Sequence, residues 1–258
     1  MSAVRTTWTG ATLALLGREW RRVVRQPSRV IATIGTVGLL WLVLGSGLAG
    51  MRGGGEGFSA FLLPGMASMV VVFASIFGAI SLIEDRQEGF LQGVLVSAAP
   101  RSAIAAGKLL AAAALACVQA GLLLAAGPML GLRAGVGGYA LALVALLAIS
   151  LGVTGIALAL AWKVNSVAGF HGVMNLVLMP MWLLSGAVFP PEQAAAWMQH
   201  VMAVNPLSWP TRAMHGSLGL GAAPDAWSWI GSAGFALAGI ASVGAVLGRV
   251  GGTKRGSA

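Results

Sequence analysis

The sequence predicts an all-α integral membrane protein. The expected architecture is six transmembrane helices, an N-terminal interfacial amphipathic helix, a cytoplasmic helix between spans 2 and 3, and short outer helices between spans 5 and 6. Three observations predict it. Of 258 residues, 57% are hydrophobic and 9% charged, against about 25% charged in a soluble domain. The mean hydropathy is +0.86. Apolar stretches recur that are each long enough to cross about 30 Å of hydrocarbon at 1.5 Å per residue. One soluble core does not hide that much apolar surface, so the bilayer acts as the solvent.

The whole chain, 1–258, reads as one transmembrane domain with spans near 30–50, 61–83, 109–132, 137–162, 169–190 and 227–248. Each is expected to be a helix, because a lone segment in lipid must satisfy its own backbone hydrogen bonds. Six crossings place both termini on one side. With the N-terminus inside, the inner segments hold Arg5, Arg18, Arg21, Arg22, Arg25, Arg29, Arg86, Arg101, Lys108, Lys163, Arg249, Lys254 and Arg255. The outer segments hold only Arg52, Arg133 and Arg212. Positive residues gather on the cytoplasmic side of membrane proteins, so both termini are expected there.

The first element is amphipathic. At 100° per residue, Leu13, Leu16, Trp20, Val23 and Val24 share one arc, while Arg18, Arg21, Arg22 and Arg25 lie opposite. This places Trp20 at headgroup level and the four arginines toward anionic lipid; a solvated cytoplasmic helix is the plain alternative. Pro27 is a poor residue for continuing it. Between spans 5 and 6, the outer segment 190–226 is too long for a turn, and "QAAAWMQHVMAVNP" reads as a helix stopped by Asn205-Pro206. It either dips back toward the membrane or lies on the surface.

Function classes fall away in turn. The single Cys117 excludes an internal disulfide and a cysteine-built zinc site. The net charge of +9 is spread over segment ends rather than gathered in a basic domain, which argues against nucleic acid. No span centre carries a carboxylate, lysine or arginine, as an ion-coupled carrier requires. "SAIAAGKL" (102–109) lacks the first glycine and the magnesium-binding hydroxyl of a phosphate loop, and "MRGGGEG" (51–57) lacks its Gly-Lys ending. No catalytic, cofactor or metal site is expected in this chain. His171 and Asn175 stand one turn apart in the fifth span, with Met174, Met179 and Met181 about them. His171, Met174, Asn175 and Met179 are candidates to line a pathway for a greasy substrate, with ordinary packing as the alternative.

The acids pose the sharper question. Only seven carboxylates occur, and Glu84, Asp85 and Glu88 fall within five residues. On a helical wheel Phe90, Leu91, Val94 and Leu95 oppose Asp85, Arg86, Glu88 and Gln92, and Pro100 closes the unit. Acids suit an anionic inner leaflet poorly, so an apolar-backed acidic helix continuous with the second span reads as a docking surface for a cytoplasmic protein. A solvated loop is the alternative.

The run "IEDRQEGFLQGVLVSAAPRSAIAAGK" (83–108) resembles the cytoplasmic signature of type-2 ABC exporter permeases of the daunorubicin-resistance and multidrug kind. "REWRRVVRQPSRV", "NSVAGFHGVMNLVLMPMWLLSGAVFP" and "NPLSWPTRAMHG" match at the expected places. The resemblance implies a bacterial inner-membrane permease without catalysis of its own, paired with a second, identical or related chain and driven by two copies of an ABC ATPase that bind ATP and magnesium. It implies export of a hydrophobic or amphipathic substrate. Within the docking stretch 84–96, Glu84, Asp85, Arg86, Glu88, Phe90 and Leu91 are the expected coupling residues, Arg86 with an acid as its partner. A membrane assembly subunit without transport of its own is the other reading.

Overall fold

The computed structural model describes residues 7–47, 56–89, 100–130 and 132–252. Among these residues the secondary structure is helical throughout. We number the helices α1 (Trp8–Val24), α2 (Pro27–Gly47), α3 (Glu56–Gln87), α4 (Arg101–Leu124), α5 (Val136–Ala161), α6 (Val167–Leu183), α7 (Ala196–Val204), α8 (Ser208–Ser217) and α9 (Ala226–Gly252). Five of them, α2, α3, α4, α5 and α9, are long and apolar enough to cross a membrane.

The boundaries follow local chemistry. Thr7 caps α1 by accepting the Gly10 N–H at 3.2 Å, and Pro27 opens α2, since a proline at the first helical position loses nothing by lacking an N–H. Pro100 precedes α4 and Ser166 caps α6 at Gly169. The fifth apolar stretch, expected over 169–190, forms a helix only as far as Leu183. Its 17 residues span about 25 Å. The chain then turns at Gly186, whose φ of +85° suits glycine.

α3 is the central column: 83% of its apolar window is buried, against 17% for α2 and 22% for α9. α2, α4, α5 and α6 pack around it, and α9 lies on α5. The α5–α9 seam closes to backbone distance, because a Cβ on Gly155 would stand 2.2 Å from the Gly239 carbonyl oxygen. Ser75 and Thr154 hydroxyls join α3 to α5 in the core at 2.8 Å.

α1 packs on the start of α4 with an unexpected face. Its buried stripe is Ala11, Thr12, Leu15 and Glu19. Leu15 fits against Gly107, Thr12 donates to the Ala103 carbonyl at 3.3 Å, and Trp8 donates to Ser102 at 3.2 Å. The more hydrophobic arc is turned away from the bundle, leaving Leu13, Trp20 and Val24 exposed. Close approach between helices rewards small residues rather than large ones, which is why the small-residue stripe does the packing.

At the opposite end of the bundle, α8 covers the other end of α3, with α7 beside α8. α8 is buried along Ser208, Pro210, Thr211, Ala213, Met214 and His215, whereas α7 buries only Met202. The predicted helix before Asn205-Pro206 is α7.

Candidate functional site

At the end of the bundle that carries α1, three carboxylates and four cations from four helices meet. α3 runs unbroken through Glu84, Asp85, Arg86 and Gln87 as its last turn, so the acids belong to the column itself. Asp85, fully buried, takes a two-pronged bond from Arg18 (Nη1 to Oδ2 3.0 Å, Nη2 to Oδ1 2.9 Å) and also meets Arg22 at 3.3 Å and Lys108. Glu84 accepts from Arg22 at 2.6 Å and from Arg29 at 3.4 Å. Glu19 accepts from Lys108 at 2.6 Å, from Arg18 at 3.1 Å and from the Ser81 hydroxyl at 3.3 Å. Ser81 in turn accepts from Arg22 at 2.9 Å.

Four positive and three negative groups leave the lattice at +1. Burial of this much charge is tolerable only because each acid has several partners; removing one partner of a buried pair strands the other. The two-pronged arginine adds geometric specificity, since its planar fork matches a carboxylate. The Arg18 guanidinium is held protonated more firmly than usual by its hydrogen bonds to Asp85.

Arg86 works on a different element. Instead of an acid, it holds the backbone carbonyls of Trp162 (2.8 Å) and Val164, and Gln87 donates to the Asn165 carbonyl at 2.9 Å. The last turn of α3 therefore ties the α5–α6 turn with one set of side chains and the end of α1 and the first turns of α2 and α4 with another. The physical reason is helix chemistry: the carbonyls beyond Ala161 have no intrahelical donor, and a guanidinium supplies two.

Of the expected coupling residues, Glu84, Asp85 and Arg86 are thus committed inside the chain, and Glu88 is exposed beside them. Phe90 and Leu91 lie outside the described residues. Of the expected lipid anchors, Trp20 is exposed and Arg25 is exposed at the end of α1. Arg21 donates to the Gly17 carbonyl of its own helix at 3.1 Å. Arg18 and Arg22, expected to face lipid headgroups, turn inward to the acids, because α1 packs on its small-residue stripe and that brings them over α3. Of the four pathway candidates, Met174 is buried in the bundle, while His171, Asn175 and Met179 follow one stripe of α6 at four-residue spacing, half-buried, exposed and half-buried in turn.

Glu19, Ser81, Arg29 and Lys108 escaped the sequence reading. Glu19 carried a readable signal: it continues the Ala11, Thr12, Leu15 stripe at helical spacing, an acid on a packing face. Lys108 ends the Gly-Lys pair that fails as a phosphate loop, and its role is to neutralise Glu19 and Asp85.

The family model described as ABC-2 type transporter matches residues 10–218. A similar protein is the daunorubicin resistance ABC transporter permease protein of Streptomyces coeruleorubidus, 27% identical over an alignment covering 83% of this chain and 78% of that one. The chain belongs to the ABC-2 type transporter family as a type-2 ABC permease, a multi-pass membrane protein.

Proposed function

We propose that this permease is the membrane half of an ATP-driven exporter, in which two permease chains form the pathway and two separate ABC ATPase subunits drive it from the cytoplasm. ATP and magnesium belong to the partner. In this reading α6 completes a sixth crossing, and the arginine-rich end carrying α1 faces the cytoplasm, in keeping with the positive-inside bias. The inner membrane of a bacterium is the expected site.

The observation that carries the proposal is the continuity of α3. The docking stretch begins where α3 ends, and its first residues, Glu84 to Gln87, are bonded to α1, α2, α4 and the α5–α6 turn. A push on the last turn of α3 therefore reaches α1, α2, α4 and the α5–α6 turn through bonds of about 3 Å. Phe90 and Leu91 supply the apolar contact to the ATPase and Glu88 an exposed charge, while Glu84, Asp85 and Arg86 pass the movement on. Coupling of this kind requires packed elements with two discrete arrangements, and ATP-driven approach of the two docking stretches provides the second.

The substrate is hydrophobic or amphipathic. α6 supports this: its outer face is apolar (Val173, Leu176 and Val177 are exposed) yet carries the exposed amide of Asn175. Hydrocarbon does not solvate an amide, so this face meets a second chain or a polar part of the cargo.

The test is purification of the tagged chain in mild detergent, followed by reconstitution with whatever ATPase remains bound. We expect a stoichiometric ATPase and ATP-dependent transport, with Phe90→Ala reducing transport and ATPase stimulation together. A chain that retains no ATPase, or Phe90→Ala with normal coupling, contradicts the proposal.

A further inference from the structure

A groove opens beside the charge lattice, between α2 and α4 with α3 as its floor and α1 across its end. It is narrow, with about 60 Å³ of enclosed space, and otherwise open to the surroundings. Its α1 end is polar, lined by Arg22, Arg29, Ser81 and the Lys108–Glu19 pair; its length is apolar, lined by Phe77, Ala112 and Leu115; and Gln119 lines it from α4. Arg29 is the least committed cation of the lattice: its side chain is 36% exposed, its bond to Glu84 is long at 3.4 Å, and its guanidinium stands 5.9 Å from the Phe77 ring centroid.

Gln119 is the second observation. It is nine-tenths buried and makes no hydrogen bond among the described residues. Its amide opens onto the groove rather than being sealed in the core, so a molecule that enters the groove can supply the partner the chain does not. Gln119 lies eleven residues beyond Lys108 on one helix, three turns or about 16 Å from the charged end. A bilayer phospholipid with its phosphate at Arg22 and Arg29 brings only acyl chain to that depth.

We infer that this groove binds an anionic amphiphile bearing a second hydrogen-bonding group about 16 Å from its charge, with the anion at Arg29 and Arg22, the apolar body along Phe77 and Leu115, and the far polar group on Gln119. As an antechamber for exported cargo this deepens the permease reading and rests on it; binding in the groove does not.

The test uses the full chain in lipid nanodiscs and two probes, 12-hydroxydodecanoate and dodecanoate, which differ only in the hydroxyl that Gln119 would meet. On the unmutated chain the hydroxylated probe binds about tenfold tighter, as one buried hydrogen bond allows. Gln119→Leu erases that preference while still binding both probes, and Arg29→Gln weakens both. Equal binding of the two probes to the unmutated chain overturns the inference, as does a preference that survives Gln119→Leu. So does uptake of both probes no greater than into empty nanodiscs, which would mean bilayer lipid fills the groove. Since the readout is binding, ATP-driven transport that persists alongside any of these outcomes separates failure of the groove from failure of the permease reading.

Discussion

The two ends of this bundle are fastened by opposite chemistry. At the α1 end, four helices are joined by charge: Asp85, Glu84 and Glu19 against Arg18, Arg22, Arg29 and Lys108. At the other end the fastenings are neutral. Asn205 donates to the carbonyls of Met181 and Leu184, both at 2.7 Å, and accepts from the Leu207 N–H at 3.1 Å. Trp182 donates to the Gly65 carbonyl at 3.0 Å, and His215 sits against the carbonyls of Phe61 (3.1 Å) and Thr211 (2.9 Å). The segment between them fits against α3 beyond Pro64 so tightly that a Cβ on Gly65 would lie 1.8 Å from the Ala187 carbonyl oxygen. Neutral bonds satisfy the backbone and close a surface. Ion pairs reach further and tolerate rearrangement of partners, which suits the end that the proposed function assigns to the ATPase's push.

The largest way to break the contrast is at the charged end. Asp85→Ala leaves Lys108 and Arg18 stranded on one shared acid, Glu19, and a broken buried ion pair costs about 3–5 kcal/mol. Thermal unfolding in detergent should show a large loss of stability, and adding Lys108→Met should restore part of it by removing the stranded charge. At the neutral end, Asn205→Ala frees two buried carbonyls and should cost about 1–3 kcal/mol, with no second-site charge substitution able to restore it. If both losses respond to Lys108→Met, the ends are not independent.

A smaller effect separates them by pH. Burial lowers the pKa of His215 from its ordinary 6.5. The unfolded chain therefore takes up a proton first, and the stability that His215 contributes, full above about pH 6.5, falls as pH drops toward the folded value. The neutral ring donates to one carbonyl and leaves its other nitrogen bare. The unfolding temperature should decline between about pH 7 and pH 5 in the unmutated chain, and this decline should be shallower in His215→Gln. An equal slope in both would place the acid-sensitive group elsewhere.

Much of this fold is legible in the sequence because its punctuation is strong: Pro27, Pro100 and Asn205-Pro206 fall at the observed helix junctions. The lattice was only half legible. The gathering of Glu84 and Asp85 marks the site, but their partners lie 23 to 67 positions away along the chain, and no local pattern pairs them. The packing face of α1 was hidden for a different reason. Hydrophobic periodicity ranks Leu13 and Trp20 above Ala11 and Thr12, whereas in a membrane the lipid welcomes the large residues and the small ones meet protein. The short α6 was obscured because the apolar run continues past Leu183 to Phe189 while the backbone turns at Gly186.

The most direct test of the coupling account uses the variant least costly to fold. Glu84 is 27% exposed and its pairs with Arg22 and Arg29 are partly solvated, so Glu84→Gln should cost no more than about 1 kcal/mol of stability. The measurement is transport per ATP hydrolysed in the reconstituted complex. If the lattice carries the movement of α3 to α1 and α2, the ATPase stays bound and active while that ratio falls several-fold, as a coupling loss of about 1–2 kcal/mol implies. An unchanged ratio would mean that the lattice only holds the bundle together, and that force reaches the pathway by another route.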